Sequence, residues 1–135
     1  MQLIILCFIK IIFCKLQCIY DIISKNIYRE GKNKMVKHVI LWQLKDELKA
    51  EEMKVVKENI KSGLEGLKGK IPGLLDINVK IDCLDSSNAD VMLDSLFEDE
   101  ASLKGYAIHP EHVAVADSAV RPNTKLRVCM DYVID

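Results

Sequence analysis

Residues 35–135 are predicted to form one α+β domain, an antiparallel sheet with helices on one face in the order β-α-β-β-α-β, the ferredoxin-like arrangement. Three observations predict it. Apolar residues alternate at period two in four stretches; after the first of these they recur three and four apart; and the stretches are separated by clusters rich in Gly, Pro, Asp, Ser and Asn.

The first strand runs from Val36 to Leu44, with Val36, His38, Ile40, Trp42 and Leu44 pointing one way and Lys37, Val39, Leu41 and Gln43 the other. Asp46 and Glu47 lead into a helix whose apolar positions are Met53, Val56, Ile60, Leu64 and Leu67. Gly66 and Gly69 end it, and Ile71-Pro72-Gly73 makes a turn. In the second strand Leu75, Ile77, Val79, Ile81 and Cys83 are expected inward, and Asp76, Asn78, Lys80 and Asp82 outward. The Asp85–Asn88 cluster then gives a hairpin-like turn into a third strand, Ala89 to Phe97. A short helix from about Asp99 to Ala107, a break at His109-Pro110 and a second helix to about Val120 follow. The last strand, Lys125 to Ile134, is expected to turn Leu126, Val128, Met130, Tyr132 and Ile134 inward.

A sheet with helices on one face leaves its second face to be covered. Val39, Leu41, Met92, Leu96 and Val133 are assigned to that face, more apolar surface than a lone domain normally shows. The expected partner is a second copy of the chain, in a homodimer through the sheet faces.

Residues 1–34 differ in character. They hold six basic and two acidic residues, a net of +4, against 13 basic and 18 acidic, a net of −5, in the remainder. An acidic domain without a basic run is a poor partner for nucleic acid, whose phosphates are bound mainly by Lys and Arg. Lys10 and Lys15 interrupt the apolar run of the leading segment, at about 2.5–3.5 kcal/mol each for insertion in a bilayer. They also lie within the core of what would be a signal peptide, and no small-residue cleavage site follows. Arg29-Glu30-Gly31 can be encoded by AGA-GAA-GGA, a purine-rich stretch like a bacterial ribosome-binding site a short way before Met35. The leading segment is therefore read as translated upstream sequence, with a membrane-anchoring helix as the alternative; a membrane partner is expected only if these residues exist in the native protein. Cys83 and Cys129 belong to no CxxC pair and are expected to be reduced, which fits a cytoplasmic protein.

All three histidines fall in the domain: His38 in the first strand, and His109 and His112 in the segment Tyr106-Ala-Ile-His109-Pro110-Glu111-His112. Pro110 suits the first position of a helix, which makes His109 its N-cap and His112 its third residue. The positive end of the helix dipole would keep His112 neutral, the form a general base needs. Tyr106 is placed to hold a carbonyl or enolate oxygen. Against this chemistry stand plainer roles: His109 as a cap, His112 packed under the sheet, His38 as a core histidine. A three-histidine metal site is a further alternative, since imidazole suits Zn or Fe. There is no P-loop, GxGxxG, GxSxG or CxxC motif.

The opening strand Met35–Glu47 with its His38, the Ile71-Pro72-Gly73-Leu74 turn, the Tyr106–Val113 segment and the closing Asp131-Tyr132 together resemble the stress-responsive A/B barrel (Dabb) family across residues 35–135. The resemblance implies a ferredoxin-like α+β barrel that dimerises through its sheets. The family includes heat-stable plant stress proteins that form large rings, and a plant polyketide cyclase that works without cofactor or metal. In that cyclase the tyrosine and last histidine of the same segment are the catalytic pair. The matching positions here are Tyr106 and His112, with His38 and His109 as pocket-binding residues; no cofactor and no metal are implied. This chain departs from the cyclase in offering Met53, Val56, Ile60 and Leu64 where that enzyme lines its cavity with aromatic residues, and Val113–Ala116 where it has a glycine-containing stretch. The expectation is a small aliphatic cavity. It would serve small-molecule binding or a stress-related role on an apolar or phenolic ligand, with an acid–base enzyme or a purely structural oligomer as alternatives.

Overall fold

The computed structural model describes residues 34–134; the expectations for the leading segment lie, Lys34 aside, outside the described residues. The elements are β1 (Val36–Leu44), α1 (Ala50–Glu65), β2 (Leu74–Lys80), β3 (Val91–Phe97), α2 (Glu100–Ile108), α3 (Pro110–Val115), a π-helical turn (Ala116–Val120), a 3-10 turn (Arg121–Asn123) and β4 (Thr124–Val133). The strands form one sheet in the order β2-β3-β1-β4, every neighbouring pair antiparallel. This is the predicted ferredoxin-like α+β fold. Among the described residues no helix is long and apolar enough to cross a membrane.

Each element follows from its sequence. At the start of α1 the Glu52 carboxylate accepts the backbone N–H of Lys49 at 2.9 Å, answering one of the helix's orphan donors. Ile60 and Leu64 are buried, and Met53 and Val56 pack at the margin of the core. Glu65 ties the helix to the sheet, accepting the N–H of Val79 at 2.9 Å and Lys61 Nζ at 2.7 Å. Gly63 lets α1 and α3 approach closely, for a Cβ there would stand 2.9 Å from Val115 Cγ1. Asp99 caps α2 by accepting the N–H and hydroxyl of Ser102, both at 2.7 Å.

The core lies between the helices and one face of the sheet. It holds Val36, Ile40, Trp42 and Leu44 of β1, Val91, Leu93 and Phe97 of β3, and Ile60, Leu64 and Leu67. Two strand assignments are corrected. In β2 the pairing slips between Leu74 and Asp76, so Leu74 is buried and Leu75 is 44% exposed at the bulge. The expected inward row also stops early: the strand ends at Lys80 and Cys83 is exposed.

The larger correction concerns β4. His38 pairs with Asp131, Ile40 with Cys129 and Trp42 with Arg127. Residues directly opposite one another share a face, so Arg127, Cys129, Asp131 and Val133 lie on the helix side. Leu126, Val128, Met130 and Tyr132, expected inward, lie instead on the open face beside Val39, Leu41, Met92 and Leu96. Val133, assigned to the open face, is on the helix side. The alternation of this edge strand marks an apolar row, but alternation alone does not say whether that row meets the helices or the open face. The open face is accordingly more apolar than predicted, and Leu126, Val128, Met130 and Tyr132 are all at least 45% exposed.

Gly73 is the tightest point of the turn before β2. Its φ is +76°, and a Cβ there would come within 2.1 Å of Ser102 Oγ. Gly69 shares the positive φ, +79°, but faces open space. Gly69→Ala is therefore expected to cost about 1–2 kcal/mol from backbone strain alone, and Gly73→Ala about 1–3 kcal/mol more from the clash. Urea unfolding of the two variants checks this; equal losses would show that the α2 contact imposes nothing.

Candidate functional site

Tyr106 belongs to the last turn of α2, and His112 to the first turn of α3, on either side of the break made by His109-Pro110. The break brings the rings together: their centroids stand 4.1 Å apart with planes 34° from parallel. Tyr106 is 1% exposed, packed edge-on against Phe97 at 5.0 Å and against His38 at 6.2 Å. His38 comes from the centre of β1, so three of the four predicted residues converge. His109 does not join them. It caps α3, its Nδ1 accepting the N–H of Glu111 at 3.3 Å, and its side chain lines neither cavity described below.

These groups border a cavity of about 320 Å³, at the small end of ligand sites. Its apolar wall includes Ile40, Trp42, Leu64, Leu93 and Leu103; its polar groups are His38, Tyr106, His112, Thr124, Arg121 and Arg127. Of the first-helix residues expected to line it, only Leu64 does. A second cavity of about 580 Å³ adjoins it between α2 and the inner side of β4, and the two share His38, Leu103, Ala107 and Arg127.

Two polar atoms of the site lack partners: Tyr106 Oη and His112 Nδ1, both shut off from solvent. Nearly all buried polar atoms are hydrogen-bonded, and each orphan costs about 1–3 kcal/mol. Burial pushes the Tyr106 phenol far above its ordinary value, so it stays protonated, a donor with nothing to donate to. His112 lies below the ordinary 6.5. Burial is the main cause, the charges of Arg121, His38 and Arg127 add to it, and the Ala107 backbone pulls the other way. The histidine is thus biased toward its neutral form, chiefly by desolvation.

His38 is oriented by a residue that sequence reasoning did not place there. Its Nδ1 stands 2.5 Å from Asp131 Oδ1, its cross-strand partner on β4. Cys129 Sγ lies 3.8 Å from the same nitrogen and 3.6 Å from Asp131 Oδ1. Partial burial and the Asp131 carboxylate raise the Cys129 thiol, which keeps it protonated. Among the described residues, His38, Cys129 and Asp131 are the set whose donor atoms approach closely enough to hold a metal ion, within 4.8 Å of one another. The three histidines do not form such a set. Ligands of one zinc ion at about 2.0–2.2 Å stand more than 3 Å apart, so the 2.5 Å His38–Asp131 contact is a hydrogen bond and not a preformed ligand pair. Asp131, Cys129 and Arg127 were missed for one reason, the phase of β4; pairing His38 with the aspartate of the closing Asp131-Tyr132 would have corrected it.

The sequence pattern of the stress responsive A/B barrel domain matches residues 36–134. The chain belongs to that family. Among curated proteins none matches this Dabb sequence. Among solved structures it is similar to a dimeric protein of unknown function with a ferredoxin-like fold from Bacteroides fragilis, at 34% identity over 74% of this chain and 96% of that one, TM-score 0.70. A dimeric ferredoxin-like protein of unknown function from Thermobifida fusca is 21% identical over 76% and 93%, TM-score 0.65. A hydroxynitrile lyase from Passiflora edulis shares the fold at 15% identity over 76% and 94%, TM-score 0.58.

The depressed pKa of His112 carries a stability signature. As pH falls through 6.5 the unfolded chain takes up a proton that folded His112 does not. Its contribution is complete above 6.5, declines below it, and levels off once folded His112 itself protonates. The wild-type protein should therefore lose more urea resistance below pH 6.5 than His112→Phe does. Parallel pH profiles for the two proteins would contradict the assignment.

Proposed function

We propose that this Dabb domain works as a homodimer whose cavity binds a small carbonyl-bearing or phenolic molecule, with its oxygen taken by Tyr106 and His112. The observation that carries this reading is the pair of buried, partnerless polar atoms, Tyr106 Oη and His112 Nδ1, on residues that border the cavity. A ligand oxygen satisfying them would relieve a penalty the free protein bears. The cavity also weighs against a purely structural oligomer, which would fill its interior with side chains.

A second reading, acid–base catalysis without a cofactor, is favoured by the protonation states. A protonated phenol can hold a developing enolate oxygen while a neutral imidazole takes a proton from the neighbouring carbon, as in an isomerase or cyclase. In this reading His112 is the base, Tyr106 the oxyanion donor, and His38, steered by Asp131, a polar group of the pocket. The hydroxynitrile lyase of Passiflora edulis indicates that the fold can carry chemistry, though fold by itself does not assign it.

The dimer follows from the open face. Val39, Leu41, Met92, Leu96, Leu126, Val128, Met130 and Tyr132 form an apolar surface across β3, β1 and β4, interrupted by the Lys37–Asp94 ion pair and bounded by the polar Asp76, Asn78 and Lys80 of β2. The Bacteroides and Thermobifida relatives are dimeric, and a second copy of the chain is the partner that buries this face symmetrically. A cytoplasmic location is part of this proposal and is supported by the two free cysteines among the described residues, Cys83 and Cys129.

A thermal-shift screen of the full chain against phenolic acids, β-keto acids and divalent metals tests the binding reading. Saturation at a hundred times Kd is worth about 2.7 kcal/mol, a rise of several degrees. The expected result is a ligand that stabilises the wild type but neither Tyr106→Phe nor His112→Ala; stabilisation that survives both substitutions would move the site elsewhere. For the dimer, Val128→Asp with Met130→Asp should yield a monomer by sedimentation at micromolar concentration. A wild-type monomer would refute the interface.

A further inference from the structure

The charge of the cavity runs against that of the domain. Residues 35–135 carry a net charge of −5, yet the cavity wall contains two guanidinium groups, Arg121 and Arg127, and no carboxylate. Arg121 is already answered by Asp117, one helical turn away. Arg127 has no salt bridge among the described residues. It projects from the inner side of β4 opposite Trp42 and borders both cavities; the carboxylates nearby, Glu100 and Asp131, line the second cavity with Lys104 and make no ion pair with it.

Arg127 is solvent-exposed and touches the Cys129 thiol, but a guanidinium without an ion-pair partner beside an apolar cavity is suited to a planar carboxylate, which its fork meets with two parallel hydrogen bonds. Two further polar groups of the wall, Tyr106 and His112, suit an oxygen at another point on the same small molecule. We infer that the ligand is a carboxylate-bearing carbonyl or phenol, an oxo acid or hydroxybenzoate, with its carboxylate on Arg127 and its second oxygen toward Tyr106 and His112. The inference rests on the binding reading above and narrows it to monoanionic acids. A phosphate ester fits less well, because one free arginine leaves much of a dianion unanswered and the rest of the wall is mostly apolar.

The test is calorimetric binding of salicylate and salicylamide, and of acetoacetate and acetoacetamide, to the full chain. Each pair differs in the carboxylate alone. Wild type should prefer the acid of at least one pair by about tenfold or more, the usual scale for a charge-assisted hydrogen bond. Added salt should weaken the acid but not the amide. Arg127→Gln should abolish the preference by weakening the acid far more than the amide, and Arg121→Gln should retain it, since Asp117 already answers that charge. Equal affinity for acid and amide, or a preference that survives Arg127→Gln, overturns the inference. If amides then still bind and lose affinity in Tyr106→Phe, the binding reading survives it. If neither acids nor amides bind the wild type, both fall together.

Discussion

The sheet is four strands wide, and the helices pack over three of them. The helices α1 and α2 cover β1, β2 and β3, whereas every residue of β4 after Thr124 is exposed in the single chain. That mismatch organises the rest of the molecule. On the helix side it leaves room beside α2, where the inner side chains of β4 border a cavity instead of filling a core. On the open side it joins the apolar residues of β4 to those of β1 and β3, and makes a surface that no described helix covers. Cavity and exposed apolar face are thus consequences of one edge strand that the described helices do not reach.

Within this frame a few polar groups are placed at some cost. Burying a histidine in the central strand requires a partner, and Asp131 supplies it from the uncovered strand, where its own carboxylate keeps access to water. Tyr106 and His112 have no such partner. Their rings stack, so each packs well as a surface while its polar atom goes unanswered. Such partial frustration is common at sites that complete themselves with a ligand, and it distinguishes this pair from His109, whose hydrogen bond within the α3 cap already accounts for it.

Much of this was legible in the sequence, and the failures share a cause. The alternation of β1 has its buried row and helix α1 its apolar stripe because each element faces a single core, so periodicity and burial coincide. The Tyr106–His112 convergence was legible because Pro110 fixes the break between two helices. The strand β4 defeated the same reasoning. With apolar residues on its outer row and Cys129 and Val133 on its inner row, its pattern does not tell the helix side from the partner side. Reversing that phase hid Asp131 and Cys129, which flank His38, and Arg127, which borders both cavities. The bulge at Leu75 is a smaller instance, where one extra residue shifts the row and only the paired strand reveals it. The identity of the ligand depends on the shape and charge of a space, which no periodicity encodes.

The central claim is that His112 and Tyr106 await a ligand oxygen in a closed, desolvated corner of the cavity. Nitrogen NMR of the His112 imidazole across pH, in the full chain with and without salicylate, addresses it most directly. The account predicts a free-protein titration midpoint below the ordinary 6.5, and ring-nitrogen shifts that change on ligand addition, with the midpoint moving upward as an anion enters the site. A midpoint at the ordinary value, with ring nitrogens indifferent to salicylate and to the other acids and phenols that bind the protein, would contradict it.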